Sequence, residues 1–196
     1  MSPIRPVRLI PLFLMVVLVA SACADDETTQ TSKPSPSSGC VDFEDLTLGD
    51  VFVSGDLFTA AGVEVQVDDF VWTDGTVFSG GSAEVMSAGL AGGSGNEVFT
   101  NNVLLRFGFP STPVEGLSFD FGAHGGNLNI EVNGDFVNFG SFADIDGATI
   151  GGVLVEVVFT GTGGIGSAKL TGLIDAFAIG GQEFAIDNIC IAYPAE

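Results

Sequence analysis

Beyond residue 40, apolar residues alternate with polar or small ones, and helical spacing is almost absent. Val63, Val65 and Val67 interleave with Glu64 and Gln66, and Val103, Leu105, Phe107 and Phe109 interleave with Leu104, Arg106 and Gly108. The same period of two runs through Leu117, Phe119 and Phe121, through Leu128, Ile130 and Val132, and through Val153, Val155, Val157 and Phe159. A period of two places one set on the core side of a strand and the other on its opposite face. Asn133-Gly134 follows Val132 and is a two-residue hairpin signal, because both positions tolerate positive φ. Gly122 to Gly126 predicts a turn between strands, and Gly180-Gly181-Gln182 predicts a turn joining a last pair, Ala168 to Ile179 and Glu183 to Tyr193. Roughly ten strands at this spacing predict an all-β fold, a two-sheet antiparallel β-sandwich of the jelly-roll kind with phenylalanine filling its centre.

The first 39 residues belong to a different regime. Arg5 and Arg8 precede the apolar run Leu9 to Val19, which is short for a membrane span and ends in Ala20-Ser21-Ala22-Cys23. That ending resembles the lipobox of bacterial lipoproteins. The resemblance implies cleavage after residue 22, acylation of Cys23 and a membrane anchor outside the cytoplasm, where two or more acyl chains hold a protein stably. Residues 23–39 are polar and rich in Ser, Thr and Pro, with no large apolar side chain to offset ordering entropy, so they are expected to be a disordered spacer. Ala24 occupies the place where an Asp would resemble the inner-membrane retention signal, which points mildly to an outer surface. The domain is therefore expected over 40–196.

Cysteine and charge narrow the picture further. With lipid on Cys23, Cys40 and Cys190 remain as a pair in an oxidising compartment, and a disulfide between them would require the first and last strands to lie side by side. Of 25 acidic and 5 basic residues, only Asp25, Asp26, Glu27, Arg5, Arg8 and Lys33 precede Cys40. The domain thus carries the whole net charge of −20, with Arg106 and Lys169 as its bases. Such a surface repels phosphate backbones, so nucleic acid is excluded as a partner, while divalent cations and neutral glycans are allowed.

Catalytic motifs are thin. Gly161 to Gly166 matches GxGxxG, but SAKLTG follows it where a helix would have to bind pyrophosphate, so it reads as a hairpin loop. His124 is the single histidine, and Ser94 lacks the last glycine of a nucleophile elbow because Asn96 stands there. No His- or Cys-rich cluster suits zinc. Calcium is better motivated. Asp42, Glu44 and Asp45 flank the first strand while Asp187 and Asn188 lie on the last, so a disulfide would draw these oxygen ligands together. Asp144-Ile145-Asp146-Gly147 is a second candidate, with two carboxylates on one tight loop.

The opening CVDFEDLTLGDVFVSGDLFTAAGVEV, the middle FDFGAHGGNLNIEVNGD and the ending LTGLIDAFAIGGQEFAIDNICI resemble a class of bacterial secreted proteins whose jelly-roll domains are similar to galactose-binding-like, carbohydrate-binding modules. The resemblance implies a structural calcium held by an early acid and a late Asp, here Glu44 and Asp187. Glycan recognition needs an aromatic platform beside amides or carboxylates. Seventeen Phe accompany one Trp and one Tyr, so Trp72 is the natural candidate, with Gln66 and Asp68 beside it. Parity puts Phe70 and Trp72 on the face of Glu64, Gln66 and Asp68; a bulge at Asp68-Asp69 would send Trp72 to the core, where large aromatics of sandwiches usually lie. The functional expectation is a surface-anchored, non-catalytic binding module for a glycan or another envelope component. Its rivals are a glycan-active hydrolase or lyase with paired carboxylates and a purely structural envelope protein.

Overall fold

A computed structural model describes residues 39–161 and 163–194. Cys23, the leader and the spacer lie outside the described residues. Fourteen strands follow one another, with no α-helix among the described residues: β1 (Cys40–Val41), β2 (Val51–Val53), β3 (Leu57–Ala60), β4 (Val63–Val71), β5 (Val77–Phe78), β6 (Ser82–Met86), β7 (Glu97–Asn101), β8 (Val103–Gly108), β9 (Val114–Val132), β10 (Asp135–Phe139), β11 (Thr149–Ile150), β12 (Val153–Phe159), β13 (Ile165–Ile174) and β14 (Phe177–Ala192). Every pairing is antiparallel.

Two long strands organise the sandwich. The first sheet runs β3-β4-β8-β14-β9-β10, using residues 177–181 of β14 and 128–132 of β9. The second runs β2-β6-β7-β14-β9-β13-β12-β11, using the other halves of the same two strands, with β1 beside the end of β14. A sheet this wide cannot stay flat, and here it folds over where β9 and β14 pass from one layer to the other. The register of β14 shifts at that point, between Gly181 and Phe184. One core fills the space between layers: Val63, Val65, Leu105 and Ile179 from the first sheet meet Leu117, Leu170, Val153 and Ile186 from the second. Phe177 and Phe119, one from each layer, have ring centroids 5.8 Å apart.

Two glycine-rich stretches differ from the sequence expectation. Gly122 to Gly126 lies inside β9, and Gly180-Gly181-Gln182 lies inside β14; the chain turns at residues 175–176 instead, and β13 pairs with β9 and β12. The glycines serve a close approach. A Cβ on Gly180 would overlap the Val103 carbonyl of the neighbouring strand. Asn133-Gly134, by contrast, makes the expected hairpin, with φ of 52° and 85° and Val132 opposite Asp135. The end of the GxGxxG stretch, Ile165 and Gly166, already belongs to β13, the antiparallel neighbour of β12.

Cys40 stands directly opposite Cys190 across the β1–β14 ladder, with Cα atoms 3.9 Å apart and the two sulfurs bonded. The first and last strands are therefore neighbours.

Candidate functional site

The face of the first sheet that points away from the core carries two cross-strand rows. One is Asp68, Leu104, Gly180, Asn129 and Asn138; the next is Gln66, Arg106, Ala178, Glu131 and Phe136. Ala178 and Gly180 put no bulk between β8 and β9. The Arg106 side chain therefore spans β14 and binds Glu131 through both terminal nitrogens, at 3.1 and 2.9 Å. Its Nε donates to Asp68 at 2.7 Å. A fork of this kind fixes the guanidinium plane as well as its position. Hydrogen bonds from Arg106 hold the Glu131 carboxyl below the usual carboxylate range, and the same bonds raise the arginine further. Glu131 is thus ionised at neutral pH and unsuited to act as a general acid.

Beyond Asp69 the chain leaves the ladder and lies over this face as an arm, the β4–β5 hairpin. Asn129 holds its backbone with two bonds, accepting from the Val71 N–H and donating to the Val71 carbonyl, both at 3.0 Å. Asn138 donates to the same carbonyl at 2.9 Å. At the base, Asp69 accepts from the hydroxyls of Ser54 and Ser79, and these bonds lower its pKa. Phe70 on the arm, and Leu104, Ala178 and Asn129 on the sheet face, are buried although they stand outside the central core.

Between the arm and the far edge of the sheet lies a hollow of about 420 Å³, bounded by Val71, Asp68, Arg106, Glu131 and Phe136, with Gln66 at one end. Phe136 is 40% exposed. The β4–β8 ladder runs without a shift through Asp69, so the parity of the strand holds. Trp72 lies beyond the end of that ladder, on the arm, and stays out of the central core. It is half-buried on the arm, edge-on to Phe70 and Phe78, and its neighbour Val71 is the residue that lines the hollow. Gln66 and Asp68 were legible as candidates; Arg106, Glu131, Asn129, Asn138 and Phe136 were not. The available signal was Arg106 itself, one of two bases in the domain, placed mid-strand at a polar position.

The chain matches no protein-family model, no curated protein and no solved structure.

The acids at the two ends of the domain sort into different environments. Glu44 accepts from the Asn96 N–H at 2.9 Å, and Gly95 has φ +98° where a Cβ would overlap the Glu44 carboxyl group. Asp187 is 3% exposed and sits where Asn188, with φ of 50°, breaks the register of β14. Asn188 donates its N–H to Asp187 at 2.7 Å and its amide to Asp120 at 3.0 Å. Asp42 accepts from the nearby Glu44 N–H, and Asp45 accepts from the N–H of Ala61, 16 residues along the chain. Asp144 accepts from Gly140 and Ser141 and so holds its own turn, while Asp146 accepts from Val157 of β12. Glu97, buried and unremarked in the sequence, accepts three backbone N–H groups of residues 88–91. Among the described residues, no three His, Cys, Asp or Glu side chains form a group that could hold a metal ion. His124 is exposed, with Nε2 3.0 Å from the Leu90 carbonyl, and Ser94 is exposed in the loop after Gly93.

Burial pushes the Asp187 carboxyl up to about 6, the Asn188 N–H opposes this, and Asp120, Glu97 and Glu44 add to it. A carboxyl raised in the folded state stabilises the fold below its ordinary pKa, and that contribution is lost as pH rises through about 6. Asp187→Asn is therefore expected to raise the thermal midpoint at pH 7 by a few degrees, about 1–2 kcal/mol after solvent screening, and to leave it unchanged near pH 4. Calorimetric melts across that range check it. A loss of stability at pH 7 in a cation-free buffer would contradict the assignment.

Proposed function

We propose that this domain is a non-catalytic module that recognises a glycan along the outer face of its first sheet, and that lipid on Cys23 tethers it outside the cytoplasm. The observation that carries the reading is the Arg106 fork. It spans β14 to join Asp68 to Glu131, and so builds a fixed, polar floor beside an exposed aromatic ring. Sugar recognition uses such a combination: a flat apolar surface for a pyranose face, and oriented amides and carboxylates for its hydroxyls. The hollow is within the ordinary size range of ligand sites. The resemblance of the opening and closing motifs to carbohydrate-binding jelly rolls points the same way. The tether rests on the sequence of the leader alone.

A glycan array probed with the full-length protein in a sugar-free detergent, followed by calorimetry on the strongest hits, tests this. Phe136→Ala and Gln66→Ala are each expected to weaken binding roughly tenfold while shifting the melting midpoint little, since both side chains are exposed. Binding that is indifferent to both substitutions would remove the trough from consideration, and an array with no hits would favour a purely structural envelope role.

Calcium near Glu44 and Asp187 is a second, separable proposal. Its support is that Asp187 is a buried carboxylate whose nearest charges are three other carboxylates. Among the described residues no three acids group there, so backbone and water oxygens would have to supply the rest of the shell. Millimolar calcium is expected to raise the melting midpoint of the wild type and leave Asp187→Asn unmoved; equal shifts in both proteins would refute it.

A further inference from the structure

The hollow beside the arm does not end at Gln66. A second hollow, of about 260 Å³, continues along the same face towards the residues 175–176 turn, and Gln66 and Arg106 line both. Those two side chains form a saddle between two adjoining compartments. A compact ligand would fill one of them. An extended one would cross the saddle and occupy both.

The charge of the linings is one-sided. Asp68, Asp69 and Glu131 border the first hollow, while Glu64 and Asp175 border the second. Arg106 is the one base among these lining residues, and its guanidinium is already committed to Asp68 and Glu131. Glu64 and Asp175 are exposed, and their carboxylates make no ion pair among the described residues. The second hollow therefore presents two free carboxylates, and the first keeps a lining of net negative charge in which Asp68 and Glu131 are bonded to Arg106 and Asp69 to Ser54 and Ser79. Anionic sugars, uronates or sulfated units, would meet uncompensated repulsion in a domain that is already strongly acidic. Groups that donate hydrogen bonds and carry positive charge fit what the walls offer.

We infer that the trough takes a linear glycan of at least two units bearing free amino groups, laid across the saddle of Gln66 and Arg106 with one unit in each hollow. This rests on the glycan reading above and adds to it the length and the charge of the ligand.

Calorimetry on the full-length protein at pH 6, with glucosamine oligomers of one to six units and their fully N-acetylated counterparts, tests both additions. Affinity is expected to rise about tenfold or more from the monomer to the dimer or trimer, and to fall about tenfold on N-acetylation. Glu64→Gln with Asp175→Asn should abolish most of the gain with length. Glu84→Gln with Glu156→Gln, which removes the same charge from exposed positions elsewhere, should leave affinity unchanged. Equal loss in the two double variants would show bulk charge attraction and overturn the inference. If acetylated oligomers bind as tightly as amines and still depend on Phe136, the amino-group inference falls while the glycan reading stands. If no oligomer and no array glycan binds, both fall.

Discussion

Replacing Cys40 and Cys190 together by serine is expected to cost about 5 kcal/mol of unfolding free energy, because the bridge closes a loop of 150 residues and removes that freedom from the unfolded chain. β1 has little else to keep it in place. It contributes two residues to the ladder, and only Val41 and Phe43 nearby are buried against the core. The loss should reach beyond β1, since Glu44 follows at once and holds the Asn96 loop. Urea unfolding of the oxidised protein, the reduced protein and the double serine variant checks this. The reduced and serine proteins should share a lowered midpoint, and a midpoint unchanged by both treatments would show that the strand is held without the bridge.

Phe142→Ala should cost about 3–5 kcal/mol, the range for emptying a large aromatic from a packed interior. Phe142 comes from no strand. It projects from a 3-10 turn, Phe142–Asp144, into a nest of rings: Phe121 is stacked on it at 3.7 Å, with Phe139, Phe119 and Phe184 at 5.3, 6.1 and 6.0 Å. The turn is held by a capping box in which Ser141 accepts from Ala143 and Asp144 accepts from Ser141. The side chain is 1% exposed, so its removal leaves a void lined by rings that the sheets cannot easily close. Denaturant unfolding should show a lower midpoint with an unchanged slope. A change under about 1 kcal/mol would mean that the neighbouring rings collapse into the space.

Alternation made the strand faces legible. Val63 to Val67 and Val103 to Phe107 point inward as their period implies, and Asn133-Gly134 turns where its tolerance of positive φ allows. Glycine clusters were misleading for a physical reason. The same absence of a Cβ that permits a turn also permits close approach within a continuous strand, and only long-range pairing decides which is used. At Gly180 the decision lies with β8, whose Val103 carbonyl occupies the space of a side chain. A shared loop does not decide ligation either: Asp144 and Asp146 lie on an oxygen-rich loop that would suit a cation, and one oxygen of each already accepts from backbone N–H groups.

The trough was half legible. Gln66 and Asp68 follow from the polar face of one strand. The fork that makes the face a site does not, because Arg106 and Glu131 are 25 residues apart and meet only across a third strand. That meeting depends on register and on the small size of Ala178 and Gly180, neither of which a local pattern reveals. The arm was hidden for a similar reason: its docking rests on Asn129 and Asn138, which read as ordinary polar strand residues until Val71 is placed above them.

Backbone amide shifts recorded on isotope-labelled protein while an oligosaccharide is titrated in would locate the ligand most directly. The expected map concentrates on residues 64–71, 104–108 and 131–138, with the Arg106 Nε–H signal moving at the same half-saturation. Shifts confined to the Asn96 loop and Asp187, or to the outer face of the second sheet, would place the ligand elsewhere and contradict the assignment of the Arg106 trough.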